Sequence, residues 1–290
     1  MVIQATKKFC FFILAVSVFF SLVSISCSKK TNPNNNGVVF DTIQENKTQS
    51  IDYKKSKLNC SLHITFVYPV TWEKSSQVND LRKLFIEKVF PVQYANLSPQ
   101  DAVNNFSAQY LHDFQSIQFK DFFNKDDDDG ESILEDENSF IYELNLENEV
   151  LYNHDGFISF VVKNTNYEGG AHGSNSIYGY VIDLNTGKFL TEEDFAGNNY
   201  KKNISALLAQ KIAAANGLTD VAQLEDNGYN AIEDIVPNEN FTIDDKGITY
   251  YFNEYEIAAY FIGITKVFIS YEELKPYITN DNPISSLSGQ

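Results

Sequence analysis

The chain has 290 residues, a formal charge of −17 and 43% hydrophobic residues, including 23 Phe and 17 Tyr. That is enough apolar surface for a substantial core, which excludes a compositionally disordered chain. So acidic a surface repels phosphate backbones, which argues against nucleic acid and in favour of basic proteins or cations.

In chain order, "MVIQATKKFCFFILAVSVFFSLVSISC" comes first, with Lys7 and Lys8, an apolar run from Phe9 to about Val23, and small residues before Cys27. These are the n-region, h-region and cleavage site of a secretory signal. Cys27 directly after Ser24-Ile25-Ser26 resembles a bacterial lipoprotein signal, so residues 1–26 are predicted to be removed and Cys27 acylated. The rival reading is a transmembrane anchor, for which the apolar run is short. Removing Lys7 and Lys8 from 22 basic and 39 acidic residues leaves a charge of −19. Acyl chains contribute about 0.8 kcal/mol per buried CH₂, so several hold a protein firmly on a membrane face.

Residues 27–57 are polar with little periodicity and are predicted to form a flexible tether. Leu62, Ile64, Phe66 and Tyr68 then alternate with His63, Thr65 and Val67, the pattern of a half-buried strand ended by Pro69. Cys60 in that strand is left without a cysteine partner and reads as a buried small hydrophobe.

Two helices are expected next. Val78, Leu81, Leu84, Phe85 and Val89 fall at helical spacing before Pro91. The second opens with Ser98 as a cap, Pro99 at the first helical position and Asp101 in the first turn, and carries an exposed His112. The stretch "NKDDDDGESILEDE" places Asp127, Asp129 and Gly130 as in a calcium loop, but Lys125 and Asp136 stand where Asp and Glu are needed. A solvated acidic loop is the better reading.

The clearest strands follow. Phe140, Tyr142, Leu144 and Leu146 share a face, Asp155-Gly156 supplies a hairpin turn, and Ile158, Phe160 and Val162 return. After the loop "NYEGGAHGSN", Tyr178, Tyr180 and Ile182 alternate with Ile177, Gly179 and Val181 up to the turn "DLNTG". An amphipathic helix capped by Gly217 comes next, then strand "FTID", strand "ITYYF", the bend "NEYEIAAYFIG", strand "ITKVFIS" and the short helix "YEELKPYI". Hairpin links outnumber βαβ crossovers, which predicts an α+β fold of antiparallel or mixed sheets packed by helices, in two coupled halves, 58–195 and 196–280.

"YEGGAHG" followed by "DLNTGKFLTEEDF", and then the tyrosine–glutamate–isoleucine–alanine bend, resemble the RsiV/PdaC-like extracytoplasmic family. This family comprises ectodomains of lysozyme-sensing anti-sigma factors and N-terminal modules of peptidoglycan deacetylases. The residues that carry the likeness as structural motif are Gly169, Gly170, Gly173, Asp183, Gly187, Asp194, Phe195, Tyr255, Glu256, Tyr260 and Gly263. Prolines often found in the bend are replaced by Glu254 and Ala259, which predicts a less rigid bend. With only the signal ahead of Cys27 and no catalytic domain before Gln290, neither sigma-factor binding nor deacetylation is expected to carry over.

For chemistry, His63, His112, His154 and His172 occur in no zinc-binding spacing, and neither a nucleophile elbow nor a Walker loop is present. No cofactor and no metal is therefore predicted. His172 reads first as a brace that hydrogen-bonds a glycine loop against the sheet. The alternative is ligand contact, with Tyr167, Glu168 and Tyr178 beside it. Glu256, if buried in the aromatic bend, needs a partner such as a backbone amide. The expected function is a non-catalytic envelope lipoprotein binding a peptidoglycan fragment or a basic, lysozyme-like protein. The alternatives are a peptidoglycan hydrolase or deacetylase built on His172, Glu168 and Asp183, and a purely structural assembly lipoprotein.

Overall fold

The structure, a computed structural model, describes residues 36–53, 56–116, 141–169 and 171–288. The predicted signal, Cys27, the acidic loop around Gly130 and Gly170 lie outside the described residues. The described chain belongs to one compact unit with the expected α+β architecture. One sheet has six strands in sequential order: β1 (Val39–Tyr53), β2 (Ser56–Thr71), β3 (Ile141–His154), β4 (Phe157–Glu168), β5 (Ser174–Asp183) and β6 (Lys188–Phe189). Only β2 and β3 run parallel. The second sheet is the antiparallel ladder of β7 (Phe241–Ile243), β8 (Gly247–Phe252) and β9 (Thr265–Ser270).

The tether prediction needs correction. From Val39 to Tyr53 the chain is strand β1, paired along its length with β2. An edge strand takes its backbone hydrogen bonds from one neighbour and can leave a face in water, so it needs few apolar residues. Ile43 and Phe40 suffice to pack it on the core, and the polar remainder gave no periodic signal.

Helices α1 (Val78–Val89) and α2 (Pro99–Ser116) cover one face of the large sheet. On α1, Leu81, Phe85, Ile86 and Val89 are buried, and the Phe85 ring stacks on Phe160 of β4 at 4.3 Å. On α2, the Ser98 hydroxyl donates to Asp101 at 2.6 Å and accepts the Asp101 amide at 3.1 Å, so the cap reads as the sequence predicts. His112 is exposed, with 72% of its side chain in solvent. Cys60 is buried, and desolvation pushes its thiol up to about 11.

The opposite face of β4 and β5 carries the second sheet. Strand alternation puts Ile158, Phe160, Val162 and Ile182 toward the helices, and Phe157, Ser159 and Val181 toward the other side. There the Ser159 hydroxyl donates to the Ile243 carbonyl at 2.7 Å and accepts its amide at 3.1 Å. Helix α3 (Tyr200–Ala215), ended by Gly217 at φ +72°, closes this second core with Ile204, Leu208 and Ile212. Tyr152, Phe157 and Val181 belong to the same cluster as Phe195, Phe241 and Tyr250, so the predicted boundary after Phe195 runs through a shared core. The chain is completed by α4 (Tyr271–Leu274) and α5 (Ser285–Ser288).

Two contacts lock the halves together. At Gly179 a Cβ would stand 2.6 Å from the Phe241 carbonyl oxygen, a backbone atom that cannot swing aside. Gly179→Ala is expected to destabilise by about 1–3 kcal/mol through overpacking, read as a lower Tm in thermal unfolding; an unchanged Tm would mean the approach is looser. Across the same seam the Glu192 amide donates to the Glu239 carboxylate at 2.9 Å, and the Glu239 amide donates to Glu192 at 3.1 Å.

Glu192 is 6% exposed, and its burial pushes the carboxyl up to about 7, opposed by the Glu239 amide and by a hydrogen bond from Tyr250. A carboxyl raised in the folded state contributes stability that is complete below its unfolded pKa and is lost as pH rises through about 7. Glu192→Gln should therefore remove part of the Tm decrease between about pH 5 and about pH 8. Parallel Tm profiles for the two proteins would contradict this.

Candidate functional site

The site is built where the glycine loop meets the bend. Within "YEGGAHG", Gly169 takes φ +80°, a conformation that favours glycine. Gly173 serves differently: a Cβ there would lie 2.7 Å from the Asn166 carbonyl oxygen. The loop thus folds back tightly on β4 before β5 begins, and it presents His172 outward, exposed.

Opposite stands residues 253–263. Tyr255 is held at φ +66° although it is not glycine, a left-handed state that costs about 1–3 kcal/mol and persists only where surroundings impose it. The Glu256 carboxylate accepts the Asn253 amide at 2.8 Å and the Asn238 side-chain amide, which pins that turn. Glu256 is thus exposed, not buried, yet it does cap the bend's backbone. Gly263, at φ +70°, carries the chain out toward β9.

Three rings line up as a result. His172 stacks on Tyr260 with centroids 3.9 Å apart and planes at 24°, and Tyr255 lies 5.6 Å from Tyr260 at 28°. The Tyr260 hydroxyl donates to the Gly173 carbonyl at 3.0 Å, and His172 Nδ1 contacts that same carbonyl at 2.9 Å. Tyr255 is 62% exposed. The imidazole is therefore one tile of an aromatic shelf, bonded to its own loop through Nδ1 and packed on the bend through Tyr260, with the Tyr255 hydroxyl 3.5 Å from its Nε2.

What fixes the shelf is the edge of β5. Every second amide points away from β4, and side chains of the second half take them. The Asn175 amide donates to Glu254 at 3.0 Å, Ile177 to Asn253 Oδ1 at 2.7 Å, and Gly179 to Asn240 Oδ1 at 2.6 Å. Asn240 Nδ2 also donates to the Ile177 carbonyl at 2.9 Å, so one side-chain amide stands in for a peptide group of a neighbouring strand. Glu254, read from sequence as a loosening replacement for proline, makes two bonds to Asn175, through backbone and side chain. Beyond Asn240 a cleft of about 220 Å³ opens among Tyr178, Asn253, Glu239 and Glu256.

The four residues read as ligand contacts do not form one cluster. Tyr167 and Glu168 are consecutive on β4 and face opposite sides of the sheet. Tyr178 pairs with Val162, about 17 Å along the strand from Tyr167 at ~3.3 Å per residue. His172 belongs to the shelf, with Tyr255 and Tyr260, assigned from sequence to the structural motif, as further members, and Tyr167 lies next to it, its Cβ 3.7 Å from where a Cβ on Gly173 would stand. Asp183 lies at the far end of β5 from Ser174, about 30 Å along the strand, so His172, Glu168 and Asp183 do not assemble. Glu168 instead accepts from Asn166 at 3.1 Å, and buried Asp183 accepts the Asn185 amide at 2.8 Å. Asp194 closes a capping box with Thr191, while Phe195 is buried edge-on to Tyr200 and Phe241. Among the described residues no group of three His, Cys, Asp or Glu could hold a metal ion, and no helix is long and apolar enough to cross a membrane.

The fold and this loop-on-bend junction define a mixed-sheet α+β domain. Residues 55–175 match the family model described as deacetylase PdaC, and residues 190–272 match a protein of unknown function, DUF3298. The chain thus carries a PdaC/RsiV-like domain, which points to an extracytoplasmic cell-envelope protein. It is similar to the crystal structure of a DUF3298-family member from Bacteroides fragilis NCTC 9343, at 27% identity and a TM-score of 0.77, over 88% of this chain and 98% of that one. A DUF3298-family protein from Pseudomonas aeruginosa PAO1, 14% identical with a TM-score of 0.56 over 85% of this chain and 96% of that one, shares the fold. No curated protein matches.

Because Asn240 serves two backbone groups and His172 is exposed, their truncations should separate. Asn240→Ala is expected to cost about 1–3 kcal/mol, whereas His172→Ala should cost less than about 1 kcal/mol. Chemical denaturation of both variants checks the order; a larger loss at His172 would restore the imidazole as the main brace.

Proposed function

We propose that the protein is a non-catalytic lipoprotein of the cell envelope, acylated at Cys27, that holds a peptidoglycan fragment on the shelf of His172, Tyr260 and Tyr255. The exposed His172 and Tyr255 rings, both stacked against half-buried Tyr260, carry this reading: aromatic surface packs well against the C–H faces of sugars. The strained backbone of Tyr255 supports it, since strain at an exposed aromatic is maintained at a stability cost. The sealed β5 edge supplies a rigid base, which limits the entropy lost on binding.

Catalysis is the poorer reading. A hydrolytic site needs a base within hydrogen-bonding reach of its partner, and Glu168 and Asp183 are engaged elsewhere. The charge of −19 left after loss of Lys7 and Lys8 favours a second ligand, a basic wall-active protein, chiefly by speeding encounter.

Sedimentation with purified peptidoglycan is the test. Tyr260→Ala and Tyr255→Ala should each weaken binding about ten-fold, while release of reducing ends or acetate stays at background. Retention of full binding by both variants would remove the shelf from the account, and turnover by the wild type would replace binding with catalysis. Stronger capture of lysozyme than of peptidoglycan would favour the basic protein.

A further inference from the structure

The turn "DLNTG" has a role that the shelf does not absorb. It lies at the far end of β5 and forms one wall of a separate cleft of about 270 Å³, faced by the start of α1. Trp72, the chain's single tryptophan, lines this cleft, with its indole N–H donating to the Asn36 carbonyl at 3.1 Å. Buried Leu184 contributes to an apolar floor. Around the rim stand Gln77, Asp80, Asn185 and Thr186. No hydrogen bond holds the side chains of Gln77, Asp80 or Asn185 among the described residues, so their polar groups are available to a ligand.

The rim is also fixed in advance. The Asn185 amide donates to Asp183 Oδ1 at 2.8 Å, the Gly187 amide donates to the Asp183 carbonyl at 2.8 Å, and Gly187 takes φ +68°. A Cβ on Gly187 would meet nothing within 4 Å, so the glycine is there for backbone conformation and not for space. Such a turn fixes the backbone of Asn185 and Thr186 at the cleft, which lowers the ordering cost of binding.

We propose that this cleft is a binding site for a single neutral sugar ring, distinct from the aromatic shelf. An aromatic wall and an apolar floor suit the C–H faces of a pyranose, and side-chain amides with one carboxylate suit its hydroxyl edge. The lining contains Asp80 and no basic residue; the Lys74 ammonium stands 5.0 Å from the Trp72 ring centroid, so the preference for a neutral ring over phosphate or a carboxylate rests on the Asp80 charge at the rim. The volume falls just below the range of about 300–1,000 Å³ typical of larger ligands, which limits the occupant to one ring.

Because Trp72 is the only tryptophan, its emission reports this cleft alone. Titration of the whole protein with N-acetylglucosamine or glucose should give a saturable change, and glucuronate and inorganic phosphate should give none. Asp80→Ala and Gln77→Ala, both at exposed positions, should each weaken the response about ten-fold. Tyr260→Ala should leave it intact, so failure here and failure of the shelf are told apart. The proposal is overturned if neither neutral sugar produces a saturable change in the wild type, if glucuronate binds equally well, or if Tyr260→Ala abolishes the signal. The wild-type titration decides the matter even if a variant does not fold.

Discussion

The sealing of β5 by side chains is the constraint on which the rest of the structure depends. A strand at the margin of a sheet exposes a row of unpaired backbone groups that invites another chain. Here β6 covers only Ile182 and Asp183 of β5, and the remaining amides are taken by Asn240, Asn253 and Glu254. Those bonds close an edge and fasten the second half of the chain to the first. Asn240 does this at little desolvation cost, since its neutral side-chain amide leaves water with partners on both ends.

From that seam the other features follow. With β5 anchored, the second sheet can approach until Gly179 touches the Phe241 backbone, and a core shared by both halves closes behind it. The glycine loop and the bend are brought face to face at the same place, so Tyr260 reaches Gly173 and carries His172 on its ring. Glu192 is buried along this seam because its carboxylate and that of Glu239 exchange bonds with each other's backbone. The stability of the junction and the geometry of the shelf are thus one problem.

Much of the fold was legible because its signals are local. Alternation at Leu62–Phe66 and at Tyr142–Leu146 marks strands with one buried face, and Ser98, Pro99 and Asp101 mark a helix start by their own chemistry. Strand β1 escaped notice because its hydrogen bonds come from β2 and few apolar groups are required. The loop and the bend were each visible as motifs, but their meeting was not. It depends on Asn and Glu side chains some 60–80 positions away in sequence, residues that in isolation look like ordinary loop polarity. Glu254 shows the limit well: alone it reads as a lost proline, and only the β5 edge reveals its acceptor role. Glu192 was equally hidden, since an acidic run at a helix start normally faces water.

The most direct test of the sealed edge is amide hydrogen exchange at Ile177 and Gly179 in the intact protein. If Asn253 and Asn240 occupy these amides as a neighbouring strand would, both should exchange as slowly as the interior amides of β4. Exchange at the rate of an open edge would show that the seam does not exist, and the shelf built on it would lose its support.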